Sequence, residues 1–248
     1  MAVINVVLQG KGGVGKSLIS SLMGQYLIDR DQLLACFDAD PVNATFAAYK
    51  SLEAVRVELM EGDIINSRLF DNLIEKLVEL PENACVVIDS GASTFIPLSS
   101  YMSENNIAQF LKETGHKLFL HTIIAGGQAE TDTIQGLNSL LNCFPGTPVT
   151  VWVNPFFGQI EFTEKHELAR KNAKNGGIII TLPSYKKETF GHDLETVLKS
   201  RLTFEQAIEL DGLNIMAKQR LKIIRDNIWA LLDGTGFTNE IKNTGTDS

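Results

Sequence analysis

Gly10-Lys11-Gly12-Gly13-Val14-Gly15-Lys16-Ser17 follows, after Gln9, on the apolar run Val3-Ile4-Asn5-Val6-Val7-Leu8. An apolar run of that length bounded by glycine is the signature of a buried strand. Glycines let the backbone take turns closed to residues with a Cβ, so successive N–H groups can face one concavity and hold phosphate oxygens. Beyond Lys16 the apolar pairs Leu18-Ile19, Leu22-Met23 and Tyr26-Leu27 recur at helical spacing, and the start of that helix adds partial positive charge behind the phosphates. The spacing is G-x-x-x-x-G-K-[ST] in full, in strand-loop-helix order. Gly12, Gly13, Val14, Gly15, Lys16, Ser17 and Leu18 are therefore the expected phosphate cradle, with Lys16 on the β- and γ-phosphates and the Ser17 hydroxyl on Mg²⁺.

On the C-terminal side, residues 33–37 form a short apolar run ending at Asp38-Ala39-Asp40-Pro41. Carboxylates at the C-terminal edge of a parallel strand stand on the face where such sheets bind ligands. There they can hold metal-bound waters or orient an attacking water. Residues 42–50 read as a short helix carrying Phe46 and Tyr49, and 56–63 as an edge strand. Asn66 or Ser67 caps an amphipathic helix with Leu69-Phe70, Leu73-Ile74 and Leu77-Val78 on one face, stopped at Pro81. The run Ala84-Cys85-Val86-Val87-Ile88 ends at Asp89, the physical form of a Walker B element. A carboxylate there holds Mg²⁺ through water opposite Ser17, since magnesium keeps several of its waters. The expected metal set is Ser17, Asp38 and Asp89.

Farther along, residues 103–114 read as a helix closed by Gly115, and 117–124 as a strand. Ala125-Gly126-Gly127 reads as a tight connection, followed by a helix with Ile134, Leu137, Leu141 and Phe144 and a strand at 149–153. Residues 163–175 read as a polar, partly basic helix with a solvated face, and 178–182 as the last core strand. Then come a helix at 192–201, a capping box at Thr203-Phe204-Glu205-Gln206 and a long helix over 213–232. The stripe Leu221, Ile224, Ile228 and Leu231 on that helix is what a sheet-covering helix needs. The expected fold is α/β, a mostly parallel, doubly wound P-loop NTPase sheet with helices on both faces. One domain is expected over 1–233, with a polar, disordered tail over 234–248.

At 248 residues the chain can bury a substantial core, and its net charge of −8 argues against a general nucleic-acid or anionic-lipid surface. No apolar run approaches the about 18 residues of a membrane span, and the first strand leaves no room for a signal peptide, so a cytoplasmic protein is expected. Cys36 and Cys85 lie in strands and Cys143 at a helix end; without a C-x-x-C pair, no cluster or zinc site is expected. His116, His121, His166 and His192 are scattered at spacings that suggest no metal site.

K-G-G-x-G-K-S, with Lys11 near the start of the glycine run, resembles the deviant P-loop of the ParA/MinD ATPases. The resemblance implies ATP and Mg²⁺ as cofactors and a homodimer in the ATP state, in which Lys11 reaches across the interface to the partner's nucleotide. It also implies that Asp40, directly before Pro41, positions the hydrolytic water while Asp38 lies nearer the metal. Lys11, Lys16 and Asp40 are then the catalytic set. In the same family an asparagine at the position of Asn154 meets the adenine edge, for which its donor and acceptor suit it, and backbone at Pro183 lies along the base. The chain departs from that pattern at Ser90-Gly91-Ala92-Ser93, where the family has D-x-P-P-G, leaving open whether Gly91 offers its N–H to the γ-phosphate. It departs again at Pro155-Phe156-Phe157-Gly158. There the phenylalanines could stack on the base, pack in the core or contact a partner, with core packing the default.

Val7-Leu8-Gln9, the segments at 40–46 and 88–93, Arg201-Leu202-Thr203-Phe204 and Arg220-Leu221-Lys222-Ile223 resemble the TraL-type proteins of conjugative plasmid transfer, over nearly the whole chain. That implies an ATP-dependent dimer switch, with slow, partner-stimulated ATP hydrolysis, serving an unidentified component of the conjugative transfer machinery. Three alternatives stay open. They are a nucleotide-gated adaptor with negligible hydrolysis, a plasmid-partition-type ATPase, and a P-loop kinase or ligase. The acidic net charge argues against the direct DNA binding of the second, and Lys11 against the third.

Overall fold

The computed structural model describes residues 1–238. In chain order its elements are β1 (Val3–Val7), α1 (Lys16–Asp29), β2 (Leu33–Ala39), β3 (Val55–Arg56), β4 (Met60–Glu61), β5 (Ile64–Ile65), α2 (Phe70–Glu79), β6 (Ala84–Ser90) and α3 (Phe95–Glu104). There follow α4 (Ile107–Glu113), β7 (Lys117–Ala125), α5 (Glu130–Cys143), β8 (Val149–Asn154), α6 (Glu167–Lys174), β9 (Ile179–Thr181), α7 (His192–Lys199), α8 (Phe204–Glu209) and α9 (Ile215–Leu232).

Seven of the strands form one sheet in the order β3-β2-β6-β1-β7-β8-β9, and every pairing in it is parallel. A separate antiparallel hairpin joins β4 to β5. β1 sits between β6 and β7 and is buried along its whole length, which is why it reads as an unbroken apolar run and not as an alternation. Its side chains divide by parity. Ile4, Val6 and Leu8 enter a core with α2 to α6, whereas Val3 and Val7 enter a second core with α1 and α7 to α9. Helices thus cover both faces, as the doubly wound pattern requires.

One polar chain crosses the middle of the second core. Trp152 Nε1 donates to His121 Nδ1 (3.1 Å), and His121 Nε2 meets Asn5 Oδ1 at 3.1 Å. Asn5 Nδ2 in turn donates to the Val86 carbonyl (3.1 Å). Indole can only donate, so Nδ1 must accept and the ring proton sits on Nε2. Burial pushes the His121 pKa down to about 3, so the ring is neutral. It belongs to the core and not to a metal site.

Several elements differ from expectation. Residues 42–50 are turns rather than a helix, because carboxylates take up the backbone donors. Asp40 Oδ1 accepts from the N–H groups of Val42 (2.9 Å) and Asn43 (3.0 Å), and Asp38 Oδ2 from that of Ala47 (2.9 Å). The helix expected at 103–114 is two: α3 begins at Phe95, and the chain breaks at Asn106 (φ 50°) before α4. Pro97 lies in the first turn of α3, where its missing N–H has no intrahelical partner to lose. α6 starts only at Glu167, capped by His166 Nδ1, which accepts from the Leu168 N–H (3.2 Å). On α9 Leu221, Ile224 and Ile228 are buried, joined by Trp229 and Leu232, while Leu231 faces out.

The start of the expected polar tail is packed. Phe237 is 1% exposed and meets the rings of Phe119 (5.0 Å) and His121 (4.9 Å) edge-on. The rest of that tail, 239–248, lies outside the described residues. Cys36 and Cys85 are buried and Cys143 half-buried, and among the described residues none of the three is in a disulfide. Among the described residues no helix is long and apolar enough to cross a membrane.

Candidate functional site

The glycine loop leaves β1 at the C-terminal edge of the sheet and ends in α1. Gly13 (φ 74°) and Gly15 (φ 108°) are both left-handed, conformations that favour residues without a Cβ. Gly15 is the N-cap of α1 and supplies no side-chain cap, so the first-turn N–H groups are left to face the loop. Lys16 is largely buried, and its Nζ donates to the Lys11 carbonyl (3.0 Å), folding back over that loop. Burial lowers its pKa, against the opposing charges of Asp89 and Asp40.

Beneath the loop lies a buried carboxylate. Ser17 Oγ donates to Asp89 Oδ2 (2.6 Å) and Ser20 Oγ to Asp89 Oδ1 (2.8 Å), and Asp89 is 1% exposed. Burial pushes its pKa up to about 7, helped by the charge of Asp38 and opposed by the two serine hydrogen bonds and Lys16. Asp38 on β2 is in register with Asp89 on β6. It too is buried, which raises its pKa against the N–H groups of Ala47 and Asp40.

The two loops that flank the glycine loop touch. A Cβ on Gly91 would stand 2.7 Å from Asp40 Oδ1 and 3.1 Å from Asp40 Cα, so the contact needs glycine. Ser90 Oγ donates to the Val7 carbonyl (2.7 Å) and Thr94 Oγ1 to the Ala39 carbonyl (2.8 Å). These bonds fix the segment after β6 to the ends of β1 and β2.

A cavity of about 510 Å³ opens beside α1, lined among others by Gly15, Leu18, Asn154, Phe156, Phe157 and Pro183. Asn154 is buried. Its Nδ2 donates to the Val14 carbonyl (3.0 Å) and its Oδ1 accepts from the Phe156 N–H (3.2 Å), so it ties the glycine loop to the turn after β8. The default of core packing for the phenylalanines is overturned: Phe156 is 68% and Phe157 46% exposed. They lie within a Pro-started turn at the strand end, which carries them past the sheet edge.

Every expected site residue gathers around the glycine loop or this cavity, except for the side chain of Lys11. That side chain lies on the outer side, its Nζ 2.7 Å from Asp132 Oδ2. The donor set fits a magnesium nucleotide. It offers backbone N–H groups and a lysine for phosphate, and a hydroxyl with two strand-end carboxylates for a hard cation that keeps most of its waters.

Four contributors escaped sequence reasoning. Ser20 lies one turn beyond Ser17, a spacing that could have flagged it. Gln9 is wholly buried; its Nε2 lies within reach of the Ile123 carbonyl (2.9 Å) and the Thr133 carbonyl (3.1 Å), and its Oε1 accepts from the Lys11 N–H (3.4 Å). Neither Gln9, Thr133 nor Asp132 carries a local signal for this role, because the contacts that bring them to the loop, Gln9 with Thr133 and Lys11 with Asp132, join segments remote in the chain.

Residues 5–216 match the family model of the CobQ/CobB/MinD/ParA nucleotide binding domain. Protein TraL of Escherichia coli is 46% identical over 94% of this chain and 98% of its own. The septum site-determining protein MinD from Pyrococcus horikoshii OT3, solved in complex with Mg-ADP, superposes with a TM-score of 0.53 over 97% of this chain and 100% of that one. MinD from Aquifex aeolicus gives 0.52 over 92% and 96%. Both structures are 13% identical to this chain, a likeness of fold.

Proposed function

The chain belongs to the CobQ/CobB/MinD/ParA nucleotide-binding domain family, and on that premise we propose that it binds ATP with Mg²⁺ and acts as an ATP-dependent dimer switch in conjugative plasmid DNA transfer. The observation that carries this is the meeting of Lys16, Ser17 and Asp89 at the uncapped start of α1. A bound Mg²⁺ would neutralise charge between the β- and γ-phosphates.

The chain's own residues have distinct parts. Backbone N–H groups from Gly12 to Leu18 cradle the phosphates, and Lys16 exchanges the Lys11 carbonyl for phosphate oxygens. Ser17, Asp89 and Asp38 hold the cation and its waters. Asp40, against Gly91, holds the attacking water. Asn154 and Pro183 border the base. Lys11, 44% exposed on the outer side and paired there with Asp132, would leave that ion pair to reach a second copy of the chain, so nucleotide and dimerisation are linked. The TraL resemblance supports a role toward a component of the transfer machinery.

Calorimetry with Mg-ATP and light scattering in ATP against ADP test this. ATP should bind and shift the mass toward a dimer, and Lys16→Ala should abolish binding. A purified chain without affinity for Mg-ATP overturns it. A second reading, an adaptor with negligible hydrolysis, draws on Asp40 Oδ1, which already holds two loop N–H groups. Phosphate release with and without transfer-apparatus proteins separates the two.

A further inference from the structure

Phe156 and Phe157 are exposed where the surrounding backbone is tightly built. The Phe156 N–H is held by Asn154 Oδ1 (3.2 Å), and Pro155 opens the turn. After it, Gly158 abuts the loop following β7 so closely that a Cβ on Gly126 would stand 2.2 Å from the Gly158 carbonyl oxygen. Glu130 Oε1 then accepts from the N–H groups of Glu161 (2.7 Å) and Phe162 (2.9 Å). The two rings meet edge to face at 5.2 Å. Two exposed aromatics on a rigid support form a preorganised surface, and both line the 510 Å³ cavity that begins at Gly15 and Leu18. Another wall carries Tyr185, stacked on Phe190 at 5.7 Å with the planes 10° apart. Asn154, which also lines the cavity, already spends one amide N–H and its oxygen on backbone partners.

We infer that Phe156 and Phe157 are the base-stacking wall of the nucleotide site, so that the nucleobase is held by aromatic contact and shape, with Asn154 serving to position the glycine loop. This rests on the nucleotide reading above. A ligand whose phosphates lie at the start of α1 has its ring system directed into this cavity, and rings stack on any aromatic face without a hydrogen-bond code.

Calorimetry on the full chain with Mg-ATP and with magnesium tripolyphosphate, which has no base, tests the assignment. Replacing both residues, Phe156→Ala with Phe157→Ala, should weaken ATP about tenfold or more and leave tripolyphosphate unchanged. The same pair changed to leucine, which keeps apolar cover without a ring, should lose ATP affinity as well. Unchanged ATP affinity in the alanine pair overturns the inference, as do equal losses of both ligands or full affinity in the leucine pair. A parent chain that binds neither ligand overturns the nucleotide reading itself. One that binds tripolyphosphate as tightly as ATP overturns only the stacking wall.

Discussion

Lys11 and Asp132, 121 positions apart in sequence, are joined by an ion pair of 2.7 Å at the outer side of the glycine loop. The lysine proposed to serve a neighbouring subunit is thus engaged within its own chain. Both side chains are about half exposed, so the pair is worth only about 0.2–1 kcal/mol. Asp132→Ala should leave the melting temperature nearly unchanged while lowering the ATP concentration for half-maximal dimer by up to about fivefold. Light scattering across an ATP series reads this, and an unchanged midpoint removes the competition between the two partners.

Asp40→Asn separates the charge of that residue from its turn-holding role. The amide oxygen can still accept from Val42 and Asn43, so the loop should keep its shape and ATP its affinity. Phosphate release should slow by about 10²-fold or more, as for a lost water-orienting group, with the dimer persisting in ATP. Equal turnover in variant and parent removes Asp40 from catalysis.

Asp89 gives the ligand-free chain a pH signature. Its pKa is raised from 3.8 to about 7 in the folded state, so between those values the native chain holds a proton that the unfolded chain has released. Stability therefore falls as pH rises through that window. Asp38, raised in the same direction, adds to the slope. Asp89→Asn should raise ligand-free stability at pH 8, with a ceiling of about 4 kcal/mol, and flatten the pH dependence. Urea midpoints at pH 5 and pH 8 without magnesium measure it; a variant less stable than the parent at pH 8 refutes the burial cost.

The tight connection after β7 should tolerate no added methyl. In Gly126→Ala the new carbon meets backbone, not a side chain that could turn away, so a loss of about 1–3 kcal/mol is expected. Gly62→Ala, left-handed but with open space around it, should lose only about 1 kcal/mol. Denaturant midpoints compare them, and equal losses refute the close approach.

Motif spacing made the glycine loop and Asp89 legible, because phosphate and metal chemistry fix residue types at fixed offsets along one strand-loop-helix unit. Buried parallel strands were legible for the same local reason: a run apolar on both faces has few other homes. What stayed hidden depends on distant partners. Nothing near residues 42–50 announces that Asp38 and Asp40 take up their N–H groups. The helix expected from 103 begins instead at Phe95, a start that places Pro97 in its first turn and that no nearby cap residue announces. Phe156 and Phe157 look like core residues until the strand end is seen to throw them outside.

Phe237 seats its ring against His121 although it falls in a stretch whose composition would ordinarily mark a truncation there as harmless. Any shortened version ending before it would open a hole beneath the central strands, at a cost of about 3–5 kcal/mol. Purification tags or reporter fusions are therefore best joined after residue 238, leaving that aromatic plug in place.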